Sequence, residues 1–204
     1  INFKFNINKN ILKINDLKFA FNNKSLIVPE LIILKKKDEF LISGKLKNEK
    51  FDLDKDYMNN VLSHDLLGFE FNKILFQSEN DFKFKITNKL KIKDLKVNSK
   101  IIIDNLEFKN KFEIKKILPN VKNNILLKKQ KVKIEYSKNF IKINGLGDIL
   151  IQKEPDKIEY QIIKKNNVTN YDAVLNIKEN ILKLDFLNFQ KDKNSNLELK
   201  IKAK

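Results

Sequence analysis

The chain contains no cysteine, no tryptophan and a single histidine, His64. Without cysteine there are no disulfides, thiolate metal centres or cysteine nucleophiles. With one histidine, an imidazole zinc site or a Ser-His-Asp triad would have to be assembled around His64 alone. Arginine is absent too, so every one of the 42 basic residues is lysine. That removes the side chain best suited to bidentate reading of phosphate and guanine. Glycine and proline are scarce, 4 and 3 in 204 residues, fewer than the corners of a closed barrel or sandwich usually need. No apolar run approaches the ~18–20 residues that cross a bilayer as a helix. No secretory signal is visible.

What is present is lysine, asparagine, isoleucine and phenylalanine, with a formal net charge of +16. These residues share AT-rich codons, so genome composition accounts for much of the basic excess, which bears on solubility and non-specific attraction rather than on fold. Hydrophobic residues make up 42% of the chain, enough to bury a core.

Period-two alternation dominates. Phe82, Phe84 and Ile86 are separated by lysines, as are Val132 and Ile134. Ile141 and Ile143, then Ile158, Tyr160 and Ile162, continue the pattern, and Leu182, Leu184 and Phe186 repeat it near the end. Successive strand side chains point to opposite faces, so each segment has one apolar and one wet face. Polar separators such as Lys36-Lys37-Asp38, Asn48-Glu49-Lys50, Asn166-Asn167 and Asp192-Lys193-Asn194 read as hairpin connections, which predicts about 14 antiparallel strands. One stretch breaks the period. Met58, Val61, Leu62 and Leu66 have the spacing of a helix face, predicting one short helix near 54–67, capped by Asp52 or Asp54 and ended by Gly68. A second irregular turn is expected at 115–118, before Pro119.

A sheet with one apolar face must cover it. One short helix is too little, and the dearth of glycine and proline argues against tight closure. The expected fold is all-β: an elongated, curled antiparallel sheet, a β-groove, about 65 Å long at ~4.8 Å per strand. Asn2–Ile7 and Leu197–Lys202 both read as mid-strand, so residues 1–204 are expected to be one groove segment of a longer protein, with any anchor outside it.

No catalytic constellation emerges, and no enzyme, metal or cofactor is expected. His64 beside Asp65 reads as an exposed helix residue. Asp52-x-Asp54-x-Asp56 starts like a calcium loop, but Tyr57 stands where the loop needs glycine and Ser63 where it needs glutamate. Phenylalanine interleaved with lysine suits single-stranded nucleic acid. Those rings share a face with isoleucine and leucine, however, which favours core or acyl chains. The lysines read as a solvated face whose stems cover apolar surface, with a secondary role in attracting anionic head groups at a groove rim.

Ile141-Lys142-Ile143-Asn144-Gly145-Leu146-Gly147-Asp148-Ile149 reads as strand, Gly-x-Gly turn, strand, and Phe40-Leu41-Ile42-Ser43-Gly44-Lys45-Leu46 as strand, glycine, strand. With 156–162 and 187–191, these segments resemble the AsmA-like proteins of Gram-negative envelopes, most closely the YhdP-type branch of the group that also includes TamB. The Gly-x-Gly pair lacks the third glycine and following helix of a dinucleotide fingerprint. The resemblance implies a periplasmic β-groove, anchored in the inner membrane through parts outside residues 1–204, that carries phospholipid toward the outer membrane. The lining would be Phe82, Phe84, Ile86, Val132, Ile134, Ile141, Ile143, Ile158, Tyr160, Ile162, Leu182, Leu184 and Phe186. The expected partners are phospholipid, the membrane and other envelope proteins, without nucleic acid. The alternative is a structural or adhesive β-rich module with a closed, dry core that binds protein partners.

Overall fold

The computed structural model describes residues 2–21, 24–55, 71–109, 118 and 120–204; of Asn2, Phe21 and Phe186 it describes the backbone. The expected helix at 54–67, His64 and the turn at 115–117 lie outside the described residues, apart from Asp54 and Lys55. Asp52 and Asp54, the expected helix caps, belong to a strand.

The strands are β1 (Asn2–Asn8), β2 (Ile11–Phe21), β3 (Lys24–Lys35), β4 (Glu39–Asp54), β5 (Phe71–Thr87), β6 (Ile92–Lys109) and β7 (Asn124–Ser137). They continue with β8 (Phe140–Leu150), β9 (Asp156–Lys165), β10 (Val168–Ile177), β11 (Leu182–Leu184), β12 (Phe189–Lys191) and β13 (Leu197–Ala203). Eleven of them form one antiparallel sheet in the order β1 to β10, then β13; β11 and β12 form a separate hairpin around a 3-10 turn at Asp185–Leu187. The fold is all-β as expected and the sheet does not close into a barrel, since among the described residues β1 pairs only with β2 and β13 only with β10.

The connections at the two ends of the sheet differ. At one end they are short: residues 9–10, 36–38, 88–91, 138–139 and 166–167. Lys9, Asn139 and Asn166 turn there with positive φ, a conformation that asparagine tolerates well. At the other end, apart from residues 22–23 between β2 and β3, the connections are longer: 55–70, 110–123, 151–155 and 178–196. Among the described residues, parts of the last three fold back over the apolar side of the sheet.

The long strands bend through bulges rather than glycines. β4, β5 and β6 are 16, 17 and 18 residues long, far beyond the usual ~5–6. Register shifts at Asp16, Pro29, Glu49-Lys50, Asp104 and Lys129-Gln130 make a line across the sheet from β2 to β7, and two more between β5 and β6, near Asn72 and near Phe84, lie off it. Each bulge inserts an extra residue and steepens the local twist, so a line of them creases the sheet. This corrects one expectation: Asn48-Glu49-Lys50 is a bulge within β4, not a hairpin turn.

Gly145-Leu146-Gly147 is likewise no turn. It lies within β8. Gly145 pairs with Tyr160 across the ladder, and a Cβ there would overlap the Tyr160 ring; at Gly147 a Cβ would overlap the Gln130 amide. At Gly44 a Cβ would overlap the Glu30 carbonyl oxygen of β3 and crowd the ring of its cross-strand partner Phe82. These glycines make room for large side chains lying over the backbone.

Gly145→Ala is therefore expected to cost about 2 kcal/mol by overpacking, read as a shift of the urea midpoint. Most of that penalty should vanish in a Tyr160→Ser background, where the overlap is gone. Equal penalties in both backgrounds would show that the ring does not occupy that space.

Candidate functional site

Cross-strand partners in an antiparallel ladder share a face, so the register assigns every side chain to a side. One row runs Phe19, Leu26, Asn48, Ser78, Ile101, Val132, Gly145, Tyr160, Ala173, Ile201, from β2 to β13. The next runs Leu46, Asn80, Ser99, Ile134, Ile143, Ile162, Tyr171, Ala203. A third runs Phe5, Ile14, Leu31, Gly44, Phe82, Val97, Tyr136, Ile141. Phe84, paired with Ile42, Ile86, paired with Phe40, and Ile158, paired with Leu175, lie on the same side. Ten of the thirteen expected lining residues thus occupy one face of one sheet.

The other three do not lie in the sheet. Leu182 and Leu184 belong to the β11–β12 hairpin, and Phe186 to its 3-10 turn, with a side chain outside the description. The period-two pattern of this segment is genuine, but three residues of strand suffice for a lid and not for a place in the ladder. Leu182 points down into a cluster with Leu118, Ile125, Ile149, Ile151, Leu175 and Ile177. Ile177 and Leu182 are sealed from solvent, and burying each such side chain contributes about 1.5–3 kcal/mol. The hairpin roofs one corner of the apolar face over β7 to β10 and β13.

A polar latch holds the roof. The Lys191 ammonium, on a buried residue, donates to the carbonyl oxygens of Lys178 at 2.8 Å, Asn180 at 2.9 Å and Asp192 at 2.8 Å. The Asn180 amide donates to Glu154 O at 2.6 Å and to Asp156 Oδ2 at 2.7 Å, and the Lys178 N–H donates to Asp156 Oδ1 at 3.2 Å. Burial pushes the Asp156 carboxyl above its ordinary value near 3.8, against the opposing pull of Asn180, the Lys178 N–H and Lys191. Nothing in the alternation announced this network; its only sequence trace is a set of polar residues clustered between strands.

The apolar face elsewhere is half-buried over the middle strands and open toward β1, where Phe5 is 63% and Ile7 66% exposed. It is also not uniformly apolar. Asn48 pairs with Ser78 and Asn80 with Ser99, placing four polar side chains side by side in its centre. The in-phase run Phe76, Ser78, Asn80, Phe82 is the signal in the sequence that could have revealed this patch.

The opposite face carries most of the charges; by register Lys35, Asp156 and Lys164 fall on the apolar side, at strand ends. Lys47, Glu79, Lys100, Lys133, Asn144, Gln161, Asp172 and Lys202 form one row. Within it Lys47 reaches Glu79 at 2.7 Å and Lys202 reaches Asp172 at 3.3 Å. Lysine neighbours hold Glu30, Glu79 and Asp94 below the usual carboxylate range, through Lys13, Lys47 and Lys85 respectively. A shallow cleft of about 650 Å³ lies among these side chains, where Ile102, Leu146 and Val174 interrupt Lys131 and Glu159. Among the described residues no three His, Cys, Asp or Glu side chains converge, and no helix is long and apolar enough to cross a membrane. Comparisons with family models, curated proteins and solved structures find no match.

Two measurements test the latch. Because the folded state raises the Asp156 pKa, its proton favours the fold. That contribution is full below the ordinary value of 3.8 and is lost as pH rises through the folded pKa. The stability of the native chain relative to Asp156→Asn, from urea titrations, is expected to fall as pH is raised from the acid side through that window. Lys191→Met leaves three carbonyls without their donor, that of Asn180 buried and those of Lys178 and Asp192 partly so, and is expected to cost about 2–3 kcal/mol. Hydrogen exchange should speed up at 182–191 while β3 to β5 keep their protection. Uniform loss across the sheet would instead make the latch part of the global core.

Proposed function

We propose that this chain is a segment of a periplasmic lipid-transport bridge, anchored in the inner membrane through parts outside residues 1–204, whose apolar sheet face carries phospholipid acyl chains between inner and outer membrane. The observation that carries the reading is the register: ten lining positions share one face of an open eleven-stranded sheet, with most of the charge on the other side. The resemblance to AsmA-like envelope proteins supplies the envelope setting, the phospholipid cargo and the expectation of envelope protein partners.

The mechanism is passive. Each methylene removed from water contributes about 0.8 kcal/mol, so a continuous aliphatic surface retains an acyl chain without a fixed pocket. Movement along it needs similar affinity from strand to strand. The row Ile134, Ile143, Ile162 repeats one side-chain type over three successive strands and meets that need. Lysines flanking the face keep anionic head groups near the wet side. No acid, base or nucleophile is required, and the chain acts as a conduit rather than an enzyme.

One observation favours the rival reading, a structural module with a closed dry core: the hairpin roof seals Ile177 and Leu182 completely. Organic extraction of the purified chain followed by mass spectrometry separates the two. Bound phospholipid is expected; a lipid-free protein sinks the conduit. Photocrosslinking from groove positions should then lose lipid when Phe84, Ile134 and Ile143 are replaced by Asp. The milder Ile134→Asp, checked for its β-sheet circular dichroism, should reduce capture severalfold, while Lys133→Ser on the opposite face leaves it unchanged.

A further inference from the structure

Four polar side chains in the middle of a greasy face require an explanation. Asn48, Ser78 and Ser99 are each at least nine-tenths buried. Leu46, Phe76, Phe82, Ile101 and Ile134 surround them on the same face by register. Placing polar groups there costs stability unless each is hydrogen-bonded.

The bonds within the patch can be counted. The Ser78 hydroxyl donates to Asn48 Oδ1. The Asn80 amide donates to Ser78 Oγ at 2.8 Å and to Leu46 O at 3.1 Å. The Asn48 amide donates to Glu49 O at 2.9 Å. Three members are therefore tied to one another and to the backbone. Two capacities are left over on directly paired neighbours, neither of them sealed from solvent: the Ser99 hydroxyl, which makes no hydrogen bond among the described residues, and the Asn80 Oδ1 acceptor. Among the described residues no charged side chain shares this part of the face, so the free groups suit a neutral partner and exclude a phosphate.

We propose that Asn80 and Ser99 form a subsite for the uncharged hydroxyl or amide group of an otherwise apolar ligand. The ligand group donates to Asn80 Oδ1 and exchanges a hydrogen bond with the Ser99 hydroxyl, while its hydrocarbon lies on the flanking Phe76, Phe82 and Ile134. Asn48 and Ser78 are positioning residues that hold the Asn80 amide by its nitrogen and leave its oxygen turned outward. This rests on the reading of the face as a lipid-binding surface. It adds that the surface discriminates: a chain bearing a neutral donor is retained at mid-sheet, and a bare chain passes over it.

The test uses two probes on the full 204-residue chain, a pyrene-tagged fatty alcohol and its methyl ether, followed by fluorescence titration. The alcohol is expected to bind roughly fivefold tighter, the worth of about one hydrogen bond. Ser99→Val should erase that preference without changing affinity for the ether, and Ser99→Thr, which keeps the hydroxyl, should preserve it. Ser99→Val should leave the melting temperature close to that of the native chain, because the hydroxyl it removes makes no hydrogen bond among the described residues and is not sealed from solvent; a serine with a purely structural role would lower it. Equal binding of the two probes to the native chain, or a preference that survives Ser99→Val, overturns the subsite while leaving the apolar surface standing. Failure of both probes to bind overturns the lipid-binding surface and the subsite together.

Discussion

A single sheet layer satisfies its backbone sideways and leaves its apolar face to be satisfied by something else. That constraint governs this molecule. Every strand between β1 and β13 has a hydrogen-bonded neighbour on both sides, so the ladder is complete without a second layer. Nothing in that ladder covers Phe5, Ile7 or the aliphatic rows behind them. Among the described residues the chain answers with its own material at one corner, where a three-residue strand pair brings Leu182 down onto Ile149, Leu175 and Ile177. The cost of that roof is visible in what it buries with the leucine: a lysine, an aspartate and an asparagine that must satisfy one another in a place where water is scarce. A small dry core and a large half-covered surface therefore coexist in one layer, and the surface makes the lipid reading physically economical.

The same layer has to bend, and it does so with little glycine. Strands of sixteen to eighteen residues accumulate twist that a flat sheet cannot hold. The bulges at Pro29, Glu49-Lys50, Asp104 and Lys129-Gln130 release it at neighbouring levels in successive strands. Glycine is spent elsewhere, beneath Phe82, Tyr160 and Gln130, where a side chain crosses the backbone of the next strand. Curvature from bulges and coverage from cross-strand aromatics are separable functions here, carried by different residues.

Much of this was legible from the alternation. Phe82-x-Phe84-x-Ile86 and Ile158-x-Tyr160-x-Ile162 declare both strand and facing, because the period of the backbone leaves no other way to segregate them. Three things were not legible. Asn48-Glu49-Lys50 has the composition of a turn, and only pairing with β5 shows it to be a bulge. Gly145-Leu146-Gly147 reads locally as a turn because glycine permits one; the Tyr160 ring that actually requires Gly145 lies fifteen positions away in the chain. Leu182 and Leu184 carry the correct period, but facing is a property of a sheet, and the segment is too short to join one. The polar quartet leaves a fainter trace in the sequence. Ser78 and Asn80 are in phase with Phe76 and Phe82, and an eye following the apolar residues steps across them.

The two edges bear on how such a surface can be used. Eleven antiparallel strands are an odd number, so β1 and β13 run in the same direction. On both edges the apolar positions stay in phase with the interior: Phe3, Phe5 and Ile7 at one side, Leu197, Leu199 and Ile201 at the other. Soluble sheets commonly guard an edge with a charge pointing toward the core side or with a proline. Here the edge lysines Lys4, Lys200 and Lys202 all sit on the polar face, and the apolar face reaches each edge unguarded. A closed module gains nothing from that arrangement, since every in-phase apolar residue at an edge is exposed surface to be hidden. A surface that hydrocarbon must enter and leave gains a great deal, because a charge at either margin would be a barrier across the path.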